Sequence, residues 1–167
     1  MAFEPTISNA LVYIVDDDPS VRKAITRMFK SLGMRVASFA TAREFMDSER
    51  EDVPGCLILD VQMPDQTGIE LQEELVAHDV DLPIVFLTGH GNIPMTVQAM
   101  RSGAVDFLTK PLDQQQLVDT VCQAIERHAQ QRTTSDALRG FRQRVDSVSY
   151  THLRAHETNC NRAYAVV

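Results

Sequence analysis

Short apolar runs of four or five residues recur along the first 110 residues, and each ends on a polar or charged group. Leu11-Val12-Tyr13-Ile14-Val15 gives way to Asp16-Asp17-Asp18, and Cys56-Leu57-Ile58-Leu59 to Asp60. Ile84-Val85-Phe86-Leu87 ends at Thr88, and the stretch from Ala104 to Thr109 ends at Lys110. Unbroken apolar runs of this length suit strands covered on both faces. Segments with helical spacing lie between them. Val21, Ala24, Ile25, Met28, Phe29 and Leu32 follow Pro19, and Gly33 stops that helix. Arg35 to Phe39 reads as a strand, with Thr41 capping a short helix to about Arg50. Gly68 to His78 is helical, and Asn92 with Pro94 opens a helix expected to be buried through Val97 and Met100. Asp113 to about Gln130 forms the last, with Leu117, Val121, Cys122 and Ile125 inward.

Five strands alternating with five helices predict an α/β fold: a (βα)5 doubly wound parallel sheet, flavodoxin-like, with helices on both faces. Strand order 2-1-3-4-5 is the common solution, and it opens a crevice at the carboxyl ends of the first and third strands. Asp16, Asp17 and Asp60 are then neighbours.

The 167 residues, 44% of them apolar, suffice for one domain and an appendage. No apolar stretch approaches the ~20 residues that span a membrane, and the start lacks a secretory pattern, so no membrane partner and a cytoplasmic location are expected. Cys56, Cys122 and Cys160 show no metal or redox spacing. Residues 1–130 hold 10 basic and 20 acidic side chains, whereas residues 131–167 hold 6 and 3. An acidic body argues against direct nucleic-acid binding by this chain. It suits a divalent cation, and equally a solvated acidic surface.

Carboxylates within a few Å of each other repel by roughly 4 kcal/mol per pair at an effective dielectric of 20, so the crevice calls for a cation. Oxygen donors favour Mg²⁺, with Mn²⁺ as an alternative, over zinc. Thr88 offers a hydroxyl and Lys110 an ammonium, both able to bind a phosphoryl oxygen. Metal, carboxylate nucleophile, Lys and Thr together describe phosphoryl transfer.

In its joint pattern of Asp16-Asp17, Asp60 with Met63-Pro64 and Gly68, Thr88, and Lys110-Pro111, the stretch from about 10 to 130 resembles the response-regulator receiver domain of bacterial two-component signalling. The loop Thr88-Gly89-His90-Gly91-Asn92-Ile93-Pro94-Met95 and the stretch from Ala99-Met100 to Ala104-Val105-Asp106-Phe107 are further similar to the subfamily that carries a C-terminal LuxR-type helix-turn-helix, as in nitrogen-fixation regulators. The resemblance implies that Asp60 accepts a phosphoryl group from a sensor histidine kinase, with Mg²⁺ held by Asp17, Asp60 and the main-chain carbonyl of Gln62, and by Asp16 largely through water. It implies that Lys110 and Thr88 bind the phosphoryl oxygens, that Thr88 and Phe107 form a switch pair, and that the Lys110-Pro111 peptide is cis. The fourth helix, fifth strand and fifth helix, about Ile93 to Gln130, would change on phosphorylation and form a homodimer. Such a chain phosphorylates and dephosphorylates itself without being a turnover enzyme. Phe107 in place of the frequent Tyr leaves a hydroxyl-dependent switch in doubt.

Several residues keep a plainer reading. Asp18 before Pro19 suits a helix cap, His90 a solvent-facing loop, Phe107 core packing, and His78 and His128 a helix surface. A rival enzyme reading takes Asp16-Asp17-Asp18-Pro19-Ser20 as the start of a haloacid-dehalogenase-like Mg²⁺-dependent phosphohydrolase with Asp16 as nucleophile. It leaves Asp60 to Pro64 unexplained. A flavodoxin-like cofactor binder would need a phosphate loop where this chain has carboxylates.

The expected organisation is an N-terminal arm (1–9), a receiver (10–130), a linker with a short helix (131–147) and a tail outside the family pattern (148–167). The linker helix runs from Ser135 to Val145, with Leu138, Phe141 and Val145 on one side. The tail reads either as disordered or as translated adapter sequence, and DNA contact is expected only through a C-terminal domain missing here.

Overall fold

The computed structural model describes residues 5–89 and 93–146, so the loop histidine His90 and the tail 148–167 lie outside the described residues. The one-turn helix Pro5–Ser8 leads into β1 (Leu11–Val15), α1 (Pro19–Ser31), β2 (Arg35–Phe39) and α2 (Ala42–Asp47). Then come β3 (Gly55–Asp60), α3 (Gly68–Ala77), β4 (Ile84–Thr88), α4 (Ile93–Arg101), β5 (Asp106–Thr109) and α5 (Gln114–Asp146). The five strands form one parallel sheet in the order β2-β1-β3-β4-β5. The expected fold class and strand order are therefore correct.

Alternation along the strands divides the interior into two cores. Val12, Ile14, Cys56, Ile58, Val85 and Leu87 face Ile25 and Phe29 of α1 and Leu117, Val121 and Ile125 of α5. Leu11, Tyr13, Val15, Leu57, Leu59 and Phe86 face Phe45 of α2, Leu71 and Leu75 of α3 and Ala99 of α4. Because β1, β3 and β4 are buried along their whole length, both sets of side chains are apolar and no polar alternation is seen.

Four elements depart from the sequence reading, each for a local reason. α2 ends at Asp47 and not near Arg50, because the Ser48 N–H and hydroxyl both donate to the Phe45 carbonyl and close the last turn. β5 begins at Asp106 and not Ala104, since the Ala104 N–H donates back to the Ala99 carbonyl behind Gly103 at φ 99°. α4 buries only Ala99, leaving Ile93, Val97 and Met100 exposed at 81%, 42% and 44%. The small alanine forms the contact face, and Ile93, Val97 and Met100, which share a stripe at i, i+4 and i+7, lie on another side of the helix and point outward. Residues 131–134, expected as a linker ahead of a helix from Ser135, are helical; they contain no Gly or Pro, and Thr134 donates its hydroxyl to the Gln130 carbonyl one turn back.

The chain divides into a compact body, Met1–Ala129, and a second unit from Gln130. His128, read as a surface residue, is buried, and its Nδ1 accepts the Gly55 N–H at 3.0 Å. That bond satisfies the first main-chain donor of β3, where a Cβ on Gly55 would lie 2.6 Å from the Leu11 carbonyl oxygen. We expect His128→Ala to cost about 2 to 4 kcal/mol in urea denaturation, against no more than about 0.5 for the exposed His78→Ala. Equal losses at the two positions would contradict the buried role.

Candidate functional site

β1 and β3 pair with Val15 opposite Leu59, so the next residue of each, Asp16 and Asp60, arrives at the same edge of the sheet. One carboxylate oxygen from each of Asp16, Asp17 and Asp60 lies within 4.8 Å of the others. Asp16 and Asp60 are buried and Asp17 is exposed. From the end of β5, the Lys110 Nζ reaches 3.2 Å from Asp16 Oδ2 and 3.6 Å from Asp60 Oδ2. The Lys110-Pro111 peptide is cis, and the Lys110 N–H donates to the Thr88 carbonyl at 2.7 Å. The register therefore converts four separate strand ends into one charged crevice.

Backbone donors hold the acids in place. Asp16 Oδ1 accepts the Asp18 N–H at 2.9 Å, while its main-chain oxygen accepts Arg22 Nη1 at 2.7 Å. Asp18 itself caps α1 by accepting the Ser20 N–H, which leaves it outside the acidic cluster. The Gln62 N–H donates to Asp60 Oδ1 at 3.3 Å. The turn after Asp60 is closed by the Gly68 N–H on the Val61 carbonyl, and a Cβ on Gly68 would lie 2.5 Å from the Asp60 carbonyl oxygen. Thr67 and Glu70 then form a capping box that starts α3 directly against this turn. Glycine at 68 lets helix and strand end approach this closely.

Thr88 is buried at the end of β4, two residues beyond Phe86 and thus on the same face of the sheet. Phe107 is half-buried opposite Phe86, with ring centroids 5.9 Å apart. Both rings share the core with Met95 and Ala99 of α4. Arg22 is a contributor that spacing did not single out; its signal is its position one turn after the Asp18 cap, from which its guanidinium reaches back to Asp16.

The electrostatics follow from crowding. Burial first, then the Asp16 charge and a hydrogen bond with Asp17, outweigh the opposing pull of Lys110 and the Gln62 N–H and together push the Asp60 carboxyl up to about 6. Burial alone would lower the Lys110 ammonium, but the Asp16 and Asp60 carboxylates more than reverse this and hold it above its ordinary value. Three carboxylates face one ammonium, and the set is all oxygen with no His or Cys. Such a site fits a hard divalent cation, Mg²⁺ or Mn²⁺.

A family model described as the response regulator receiver domain matches residues 12–122. The chain is 42% identical to nodulation protein W of Bradyrhizobium diazoefficiens, over 85% of this chain and 63% of that protein. It is 35% identical to transcriptional regulatory protein FixJ of Azorhizobium caulinodans, over 83% of this chain and 65% of that protein. It thus spans less than two thirds of either relative. The low-resolution structure of response regulator StyR superposes with a TM-score of 0.80 and 38% identity, over 90% of this chain and 76% of that one. The phosphohydrolase reading gains no support from these matches.

Between about pH 4 and pH 6 the folded chain holds a proton on Asp60 that the unfolded chain releases, so without divalent cations this residue makes folding less favourable as pH rises through that window. We expect Asp60→Asn to stabilise the protein at pH 7.5 by on the order of 2 to 3 kcal/mol, with the gain fading below about pH 4. Thermal denaturation in EDTA across pH 4–8 measures this; a variant less stable than wild type at pH 7.5 would contradict it.

Proposed function

The chain belongs to the response regulator receiver domain family, and on that premise we propose that it is a signalling switch in which Asp60 is the phosphoacceptor. One observation carries the proposal: a buried carboxylate with raised basicity, 3.6 Å from an ammonium, at the mouth of a parallel sheet. In the proposed step an Asp60 oxygen attacks the phosphorus of a sensor kinase's phosphohistidine. The P–N bond breaks, the imidazole leaves with the electron pair and takes up a proton, and Asp60 becomes an acyl phosphate. Lys110, freed from part of its pairing with Asp60, neutralises the incoming phosphoryl oxygens. Asp16, Asp17, Asp60 and the Gln62 carbonyl would hold Mg²⁺, which supplies charge neutralisation for the attacking and phosphoryl oxygens.

Thr88 would move its hydroxyl to a phosphoryl oxygen. The space it leaves lies on the face that carries Phe86 and Phe107, so Phe107 can rotate inward and alter the surface formed by α4, β5 and the first turns of α5. Ile93, Val97 and Met100 lie in one exposed apolar stripe on α4, which supports a homodimer through this face in the phosphorylated state. By the same reading the switch serves transcriptional control, as the name of the transcriptional regulatory relative FixJ says of that protein.

With acetyl phosphate and Mg²⁺, the chain is expected to gain one acid-stable, base-labile phosphate, and Asp60→Asn to take up about 100-fold less or none. EDTA should abolish uptake. If Asp60→Asn labels as well as wild type while Asp16→Asn does not, the assignment is wrong. Beryllofluoride should shift the chain toward a dimer on size exclusion, and Val97→Asp should prevent the shift; an unchanged elution of wild type at high concentration would count against dimerisation.

A further inference from the structure

Gln72 is the largest polar side chain sealed between α3 and α4 that the site does not use. It is almost completely buried, and its Nε2 donates to the Ala99 carbonyl at 3.0 Å. That carbonyl already accepts the Ala104 N–H at 3.1 Å, the bond that closes the C-terminal turn of α4. The amide orientation is fixed by this contact, because turning it over would set oxygen against oxygen. Gln72 Oε1 has no hydrogen-bond partner among the described residues. On the same seam, Gln98 of α4 reaches Glu73 of α3 through a long 3.5 Å contact at the surface.

These facts matter because α4 is thinly held. Ala99 is its one buried residue, and the core behind it contains Phe86 and Phe107. The Gln72 donor ties the end of the helix to α3, whereas the unpaired oxygen works against the docked position. A hydrogen bond contributes a modest net amount, but a buried acceptor without a partner costs more. Sliding α4 away from α3 would admit water to Oε1 and relieve that cost. The apolar alternative, a methionine of nearly equal volume, would carry neither the tie nor the penalty.

We propose that Gln72 is a positioning residue that sets the resting equilibrium of α4: its amide fixes where the helix docks, and its unpaired oxygen keeps that docking shallow enough for the site to overturn. This rests on the switch reading above, in which phosphorylation moves α4. Because both ends of a two-state equilibrium are linked, a substitution that deepens docking must weaken binding of a phosphoryl mimic at Asp60 by the same factor.

The test is hydrogen exchange of the α4 amides paired with beryllofluoride affinity, in the full chain with Mg²⁺. Gln72→Met should slow α4 exchange and weaken beryllofluoride binding, each by roughly 3- to 10-fold, with β1 and β3 exchange unchanged. Gln72→Glu, which loses the donor and sets a carboxylate against the Ala99 carbonyl, should move both readouts the opposite way. Opposite, matched movements support the role, and Gln72→Met alone suffices if the Glu variant does not fold. Altered exchange without altered affinity, or no change in either, would overturn it. If beryllofluoride leaves wild-type α4 exchange untouched, the switch reading itself fails, and the role of Gln72 falls with it.

Discussion

Three carboxylates are forced to within 4.8 Å of each other by the pairing of β1 with β3, and the remaining features of the crevice respond to that crowding. Asp16 and Asp60 emerge at matching levels from two buried parallel strands, so neither can retreat into solvent without breaking the sheet. Lys110 supplies one compensating charge from the far side of the crevice, and main-chain N–H groups of Asp18 and Gln62 supply partial charge at closer range. The compensation is incomplete. Asp60 stays hard to ionise, which is the physical basis for reading the crevice as a receptor for a divalent cation and a phosphoryl group.

The same sheet connects this crevice to the surface. Thr88, Phe86 and Phe107 share one face, and α4 covers that face with one buried alanine and the half-buried Met95, leaving Ile93, Val97 and Met100 outside. A helix packed so sparingly can be displaced by a small change in free energy, whereas β1 and β3, buried on both faces, cannot. The rigid half of the domain therefore holds the charges, and in the proposed switch the loosely held half would carry the response. Gln72 sits on the boundary between these halves.

Much of this was legible in the residues themselves. The apolar runs at Leu11, Cys56 and Ile84 located the central strands, and their acidic or hydroxyl ends located the crevice, because a buried parallel strand leaves its carboxyl end as the exposed chemical position. Thr41 and Asp18 announced their helix caps. Periodicity failed where packing depends on partners: it assigned Val97 and Met100 to the interior, since an apolar stripe at helical spacing looks the same whether it faces a core or solvent. His128 and Gln72 were invisible for a related reason, as their polar side chains point to main-chain atoms, Gly55 N–H and Ala99 C=O, that come close only after folding. The break expected at 131–134 rested on polar composition, which does not by itself interrupt a helix.

The most direct test of the crowded-carboxylate basis is the titration of the Asp60 carboxyl carbon by NMR, with and without Mg²⁺. In EDTA we expect it to titrate near 6. Saturating Mg²⁺ should carry the midpoint below the ordinary carboxylate range near 4, since the cation stabilises the ionised form. A midpoint near 4 in EDTA that Mg²⁺ does not move would contradict it.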